Sequence, residues 1–476
     1  MTGTRTKIVC TLGPSSSEPG IIKTMVQRGM NVVRLNLSHG DHEEHRRLVR
    51  NVRECSDAAG SLVAIMMDLQ GPKLRIGRFK EGSVDLQIGA EFTITSRDVE
   101  GDQGIVSTTY ANLPGDVAVN DTVLLDDGFI SLKAIRKTPT DLVCEVIDGG
   151  TLKNNKGINL PGVTLSVSTV TQKDLTDIDF GIEEGVDYIA MSFVRKASDV
   201  LLVREYLKEK EAAIPVIAKI EKPEAIDHID GIIEVSDGVM VARGDLGVEM
   251  PAEEVPAIQK MIIRKCNEAG VPVITATQML DSMVNNPRPT RAEASDVANA
   301  ILDGTDAVML SAESAVGKYP LQAVEVMHRI IQATEQSPAH PAVRRGRGGQ
   351  DGTRVQINEG IAKSACTLSE QVAASAIVSI TLSGSMARSI AKYRPGKPIY
   401  AISQRVHELR RLCLVWGIEG LWMADLTESI DETVRQVEAM LLELGKLQRG
   451  ENYVLTAGVP FSERKATNMV RVETVS

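Results

Sequence analysis

Eight short runs rich in Val and Ile recur along the chain, and that rhythm constrains the fold more than any other feature of the sequence. They are KIVCTL at 7–12, NVVRLNLS at 31–38, LVAIMMDL at 62–69, DYIAMSFV at 187–194, PVIAKI at 215–220, GVMVARGDL at 238–246, PVITATQ at 272–278 and DAVMLSAE at 306–313. Most are separated by stretches of helical periodicity such as GIIKTMVQRGM and AEEVPAIQKMIIRKCNEAG. Short apolar runs alternating with helices predict parallel strands covered on both faces. Eight such units predict an α/β chain folded as a (β/α)8 TIM barrel, with alternate strand residues filling the interior. A doubly wound open sheet shows the same alternation and is the structural competitor.

The rhythm breaks once, between the third and fourth runs. GSVDLQIGAEFTITS, GIVSTTY, DTVLLDDGFISLKAI and DLVCEVIDGGTL alternate with period two and are joined by Gly and Asp turns. That texture predicts a small β-barrel domain inserted in a βα loop, where it can act as a lid over the catalytic end. After the eighth unit comes a Pro-, Gly- and Arg-rich linker, followed by a second alternation of helices and strands. The expected organisation is barrel at 1–70, inserted β domain at 71–167, barrel again at 168–338, linker at 339–354 and a C-terminal α/β domain at 355–476.

Composition removes several function classes. The formal net charge is −10 and aromatics are 3%, with Lys and Arg dispersed, which argues against a nucleic-acid surface. The six cysteines are far apart and form no CxxC pair, so reduced, packed thiols are expected rather than a metal or disulfide framework. The opening MTGTRTKIVCTLGP lacks the basic and apolar regions of a signal peptide, and no apolar run approaches ~18 residues. A cytoplasmic protein is expected.

Polar residues gather at the carboxyl ends of the strands, where a barrel places its active site. In the second strand Arg34, Asn36 and Ser38 alternate and share a face. The guanidinium suits a phosphate and the two oxygens suit a cation, against the plainer reading of a polar strand cap. In the fifth, Lys219 and Glu221 share a face, and the sixth ends in Arg243, Gly244 and Asp245. Glu221 and Asp245 on adjacent strands suit a two-carboxylate magnesium site, whereas a simple ion pair with Lys219 is the structural alternative. Thr275, Thr277 and Gln278 end the seventh strand, and Ser311 and Glu313 the eighth. Arg288 and Arg291 stand beside a helix start in an acidic chain, as anion ligands or as neighbours of a capping Thr290.

Taken together, RLNLSHG at 34–40, MDLQGPKLRIG at 67–77, NKGINLPG at 155–162, AKIEKPEA at 218–225, VARGDLGVE at 241–249, ATQMLDSM at 276–283 and PRPTRAEASDVANA at 287–300 resemble the pyruvate kinase family, in order and in register. The resemblance implies transfer of a phosphoryl group from phosphoenolpyruvate to ADP, giving pyruvate and ATP, by a Mg2+- or Mn2+-dependent homotetramer. It implies that Arg34 binds the phosphoryl group, Lys219 stabilises its transition-state charge, and Glu221 and Asp245 carry the metal. The Gly244 and Asp245 amides and the Thr277 hydroxyl would hold the pyruvate carboxylate, and Asn36, His39, Arg75 and Lys156 would contact the nucleotide. A magnesium-dependent barrel lyase acting on pyruvate or oxaloacetate enolates is the alternative, and would need neither Arg34, Lys156 nor a lid. A catalytically silent regulatory protein is a third class, which the intact metal and charge residues leave unexplained.

Two departures from the family pattern are informative. Members that need potassium place it on residues matching Asn36, Ser38 and Asp68 and carry a Glu in a DTKGPE-like stretch; here DLQGPK puts Lys73 there. The similarity is to the potassium-independent branch, with the Lys73 ammonium replacing K+. In the C-terminal domain TLSGSMARS at 381–389 resembles a phosphate-binding effector loop. Thr381, Ser383 and Ser385 keep hydroxyls, but Leu382 and Met386 replace basic or hydroxyl positions, which points to an activating phosphate monoester rather than a bisphosphate.

Overall fold

The computed structural model describes residues 3–163, 165–338, 356–424, 429–459 and 466–476. The eight runs form a closed parallel barrel of Lys7–Thr11, Val32–Asn36, Ala64–Asp68, Tyr188–Met191, Val216–Ile220, Gly238–Ala242, Val273–Ala276 and Ala307–Leu310, the first strand pairing with both the second and the eighth. Closure excludes the open sheet. One parity of each strand (Val9, Val32, Ala64 and Met66, Ile217, Met240) fills the barrel interior. The other parity, including Ile8, Val33, Leu35, Ile65 and Met67, packs outward against the helices. Each fully buried aliphatic side chain of this kind contributes about 1.5–3 kcal/mol relative to exposure.

The pleat also decides which polar residues reach the barrel mouth. Continuing the inward parity one step past the apolar layer gives Thr11, Arg34, Asp68, Ser192 and Lys219. The site is thus the top layer of the core, written with polar residues.

Between the third and fourth barrel strands the chain builds a six-stranded sheet around its own core, in the order Ile158–Asn159, Thr122–Leu125, Ile130–Lys137, Asp141–Asp148, Glu91–Thr95, Ile105–Ser107. A two-stranded ladder of Ser83–Leu86 with Gly150–Lys153 joins it. Asp174 ties the root of this lid: its carboxylate accepts from the Gly71 amide on entry (3.0 Å) and from the Thr171 amide on exit (2.8 Å). Gly71 has φ +65°, and a Cβ there would lie 2.8 Å from the Phe193 ring, so the entry turn admits only glycine.

The C-terminal α/β domain is a five-stranded sheet ordered Ile418–Trp422, Ile399–Ser403, Ala376–Ile380, Asn452–Ala457, Met469–Thr474, with the last strand antiparallel. It seals the amino end of the barrel. Leu414 joins the barrel interior, the Lys7 ammonium donates to the Ile418 carbonyl (2.6 Å) and the Trp416 amide donates to Asp306 (3.2 Å). The linker expected at 339–354 lies outside the described residues. Among the described residues all six cysteines are buried and free, and no helix is long and apolar enough to cross a membrane.

Candidate active site

At the barrel mouth four charges form a buried chain. Arg34 donates through Nε to Asp68 Oδ2 at 2.6 Å, pairs with the same oxygen through Nη2 at 2.6 Å, and donates through Nη1 to Thr11 Oγ1 at 3.0 Å. Lys219 donates to Ser192 Oγ at 2.7 Å and pairs with Glu221 Oε1 at 2.8 Å and Asp68 Oδ1 at 3.1 Å. Glu221 Oε2 accepts from the Phe193 amide at 2.9 Å, with Phe193 held at φ +59°. Burial alone would raise the Asp68 carboxyl, but Lys219 and Arg34 outweigh it and hold the group below its ordinary value. Burial would lower the Lys219 ammonium, yet Asp68 and Glu221 hold it well above its usual value. For Glu221, burial together with the neighbouring Asp245 wins over Lys219, and the carboxyl is pushed up.

That balance bears on a cation. Two cations (Arg34, Lys219) face three carboxylates (Asp68, Glu221, Asp245), which leaves one negative charge over. Asp245 is exposed, and no hydrogen bond or ion pair joins its side chain to another described residue. No cluster of three or more metal-type side chains exists among the described residues. A carboxylate pair with spare negative charge suits a hard divalent ion that takes its remaining oxygens from water and substrate, so the donor set fits magnesium or manganese.

The chain opens into a cleft of about 150 Å³. Arg34, Asn36, Ser38, His39 and Lys73 line one side. Lys219, Glu221 and Asp245 line the other, joined by the lid residues Asp127 and Asn159. Burial and the charges of Lys73, Arg75 and Arg34 hold the His39 imidazole below its usual pKa, so this side is a cationic, anion-accepting wall. Lys73 is exposed and has no ion pair among the described residues. Asn36 turns its side-chain oxygen onto the Ser38 amide (3.2 Å). Lys156 is turned away onto Asp126 (2.6 Å), and Arg75 donates to the Asn155 carbonyl (2.7 Å), both within the lid.

Beside Glu221 and Asp245, the Gly244 amide donates to Thr277 Oγ1 at 2.7 Å. A Cβ at Gly244 would sit 3.3 Å from that hydroxyl, so only glycine packs there without displacing it. Thr277 and Gln278 have φ +66° and +54°, a pair of non-glycine residues in left-handed conformation. Arg243 holds this strained turn by donating to the carbonyls of Ala276, Thr277 and Gln278 while pairing with Asp296 at 2.7 Å.

Several residues singled out in the sequence lie elsewhere. Thr275 is fully buried and bonded to Thr305, because the strand ends at Ala276 and Thr277 leaves its pleat. Glu313 caps the backbone amides of Leu280 and Ser311. Thr290 forms a capping box with Glu293, leaving Arg288 and Arg291 exposed on the surface. Conversely, Ser192, Lys222, Asp127, Asn159 and Glu249 belong to the cleft and were missed. Strand parity in YIAMS would have found Ser192, but no local signal marks the others.

In the C-terminal domain, Thr381 Oγ1 accepts from the Gly384 amide (3.0 Å), Ser383 donates to Ser385 (3.1 Å), and Arg388 donates to the Ser383 carbonyl (3.0 Å). The turn opens the helix Ser385–Lys392 and borders a cavity of about 860 Å³ between the barrel and this domain.

Comparison with known proteins follows the same division of the chain. Residues 3–324 match the family described as pyruvate kinase, barrel domain, and residues 359–473 match pyruvate kinase, alpha/beta domain. A pyruvate kinase of Geobacillus stearothermophilus is 48% identical over 475 residues, covering 99% of this chain and 80% of the relative. One of Bacillus licheniformis is 47% identical over 474 residues, with the same coverage. A crystal structure of a pyruvate kinase from Cryptosporidium parvum superposes with TM-score 0.94 at 36% identity, over 99% of this chain and 96% of that one.

Proposed function

The chain belongs to the pyruvate kinase family, and we infer that its cleft moves a phosphoryl group from phosphoenolpyruvate to ADP chiefly by presenting fixed charge. It is a phosphotransferase. The observation that carries the mechanism is the chain Arg34–Asp68–Lys219–Glu221 opening beside Asp245, whose side chain is bonded to no other described residue. Transfer between two anions leaves the protein little covalent chemistry; it must align donor and acceptor and neutralise the charge on the moving group. Arg34 faces the phosphoryl oxygens, oriented by Asp68 and Thr11 so that little conformational freedom is lost on binding. Lys219 exchanges one of its three protein partners for a phosphoryl oxygen. Glu221 and Asp245 would hold the divalent cation, which supplies Lewis-acid charge neutralisation when bound. Thr277 and the Gly244 and Asp245 amides receive the pyruvate carboxylate, and Thr277 Oγ1 stands near the path of the enolpyruvate proton. Asn36, His39 and Arg75 receive the nucleotide, and Lys156 joins them by leaving Asp126.

Potassium is not needed in this reading, because Lys73 brings a permanent cation to the wall where a monovalent ion would act. The lid closes over the nucleotide. Small-angle scattering at saturating Mg·ATP should show compaction relative to the free enzyme; superimposable profiles would count against a gating lid. By family the enzyme assembles as a homotetramer in the cytoplasm. A phosphate monoester at Thr381, Ser383 and Ser385 activates it, supported by two exposed hydroxyls in a turn before a helix. Among AMP, ribose 5-phosphate, glucose 6-phosphate and fructose 1,6-bisphosphate, a monoester should lower the half-saturation for phosphoenolpyruvate. If none of the four shifts that curve, the loop is not an effector site.

A further inference from the structure

Outside the charge chain, one contact joins the lid to the barrel through a buried carboxylate. Glu249 is 4% exposed and receives two donors on the same oxygen: Lys222 Nζ at 2.5 Å and Asn159 Nδ2 at 2.8 Å. Lys222, itself 8% exposed, also lies over the Phe193 ring at 5.7 Å. The other carboxylate oxygen of Glu249 is buried with no hydrogen-bond partner among the described residues, so there the charge depends on those two donors. Asn159 belongs to the lid, on the strand Ile158–Asn159. Glu249 closes the helix Arg243–Glu249, whose first turn carries Asp245, and Lys222 directly follows Glu221. Just past the strand Thr122–Leu125, which pairs with Ile158–Asn159, a Cβ added to Gly128 would meet Val248 at 3.6 Å, so the same helix also meets the lid beside the Asn159 contact.

We propose that Glu249, held by Lys222, is the seat on which the lid closes, and that Asn159 is the lid's catch. The inference rests on the lid reading above. When the lid lifts, Asn159 withdraws and Glu249 is left with a single donor in a mostly buried position, which favours the seated state. The seat is covalently continuous with Glu221 on one side and Asp245 on the other. Seating therefore fixes both carboxylates at the moment the nucleotide is enclosed. Glu249 and Asn159 act as positioning residues, touching neither phosphoenolpyruvate nor the reacting phosphoryl group.

Role exchange between the two residues tests this. Asn159→Ala should raise the KM for ADP about tenfold, the order expected for one hydrogen bond to a charged acceptor, and leave that for phosphoenolpyruvate within about twofold. Asn159→Asp sets two carboxylates against each other, and should raise the ADP KM further, with part of the loss relieved by salt. Adding Glu249→Gln to Asn159→Asp restores an amide–carboxylate pair with the roles swapped, and should recover most of the ADP affinity. Scattering should follow suit, with Asn159→Asp needing more Mg·ATP to compact and the double variant less. An ADP KM unmoved by Asn159→Asp, or a double variant worse than either single change, would overturn the seat. Failure of the wild-type enzyme itself to compact would instead remove the lid reading on which the seat stands.

Discussion

Lys219→Met should lose on the order of 10³-fold or more in kcat, the usual cost of removing one preorganised electrostatic group, and should also melt at a lower temperature. The stability loss follows from the contacts. Among the described residues Lys219 is the one cation paired with Glu221 and one of two paired with Asp68, and all three groups are buried. Taking one partner out of a buried ion pair commonly costs about 3–5 kcal/mol, because the other charge stays behind. Asp245→Ala makes the contrast. Its carboxylate is exposed and bonded to no described residue, so the fold should keep its melting temperature while turnover is abolished. A calorimetric scan of each folded variant alongside its kcat separates the two outcomes. Near wild-type phosphoryl transfer in either variant would overturn the assignment of the charge chain and its metal pair.

The second large effect is expected at Lys73. Its ammonium lines the cleft beside Arg34, Asn36 and Ser38, lies close enough to hold down the His39 pKa, and is spent on no ion pair among the described residues. Asp68, matched in the sequence to a potassium ligand, has both oxygens within ion-pair distance of Arg34 or Lys219. A unit charge ~4 Å from an anion is worth ~4 kcal/mol at an effective dielectric near 20, or about three decades if it acts on the transition state alone. Lys73→Glu should therefore lower activity by up to about three decades and make what remains rise with potassium. An unchanged rate in that variant, with no response to potassium, would show that Lys73 points idly to solvent.

Most of the fold and the inner ring of the site can be read from the sequence because both follow from strand parity. Eight apolar runs specify the barrel, and the same pleat that buries Val32 and Ile217 points Arg34 and Lys219 into the mouth. Features carried by long-range contact leave no such trace. The Glu249 seat joins segments 90 and 27 residues apart. The turn at Thr277 and Gln278 takes left-handed backbone without a glycine to announce it, because Arg243 holds it from another strand end. Strand Ile418–Trp422, at the edge of the C-terminal sheet, is half-exposed and reads IEGLW, so it lacks the continuous apolar run that marks its neighbours.

On the reading proposed above, the phosphoryl group moves with protein cations and a divalent ion and no potassium. The most direct test is ATP formation from phosphoenolpyruvate and ADP by the wild-type enzyme in magnesium and tetramethylammonium buffer free of potassium. ATP and pyruvate should form in equal amounts, at a rate that added potassium changes little. An enzyme silent until potassium arrives would contradict the charge-replacement account, and pyruvate released from oxaloacetate with no ATP formed would contradict phosphoryl transfer itself.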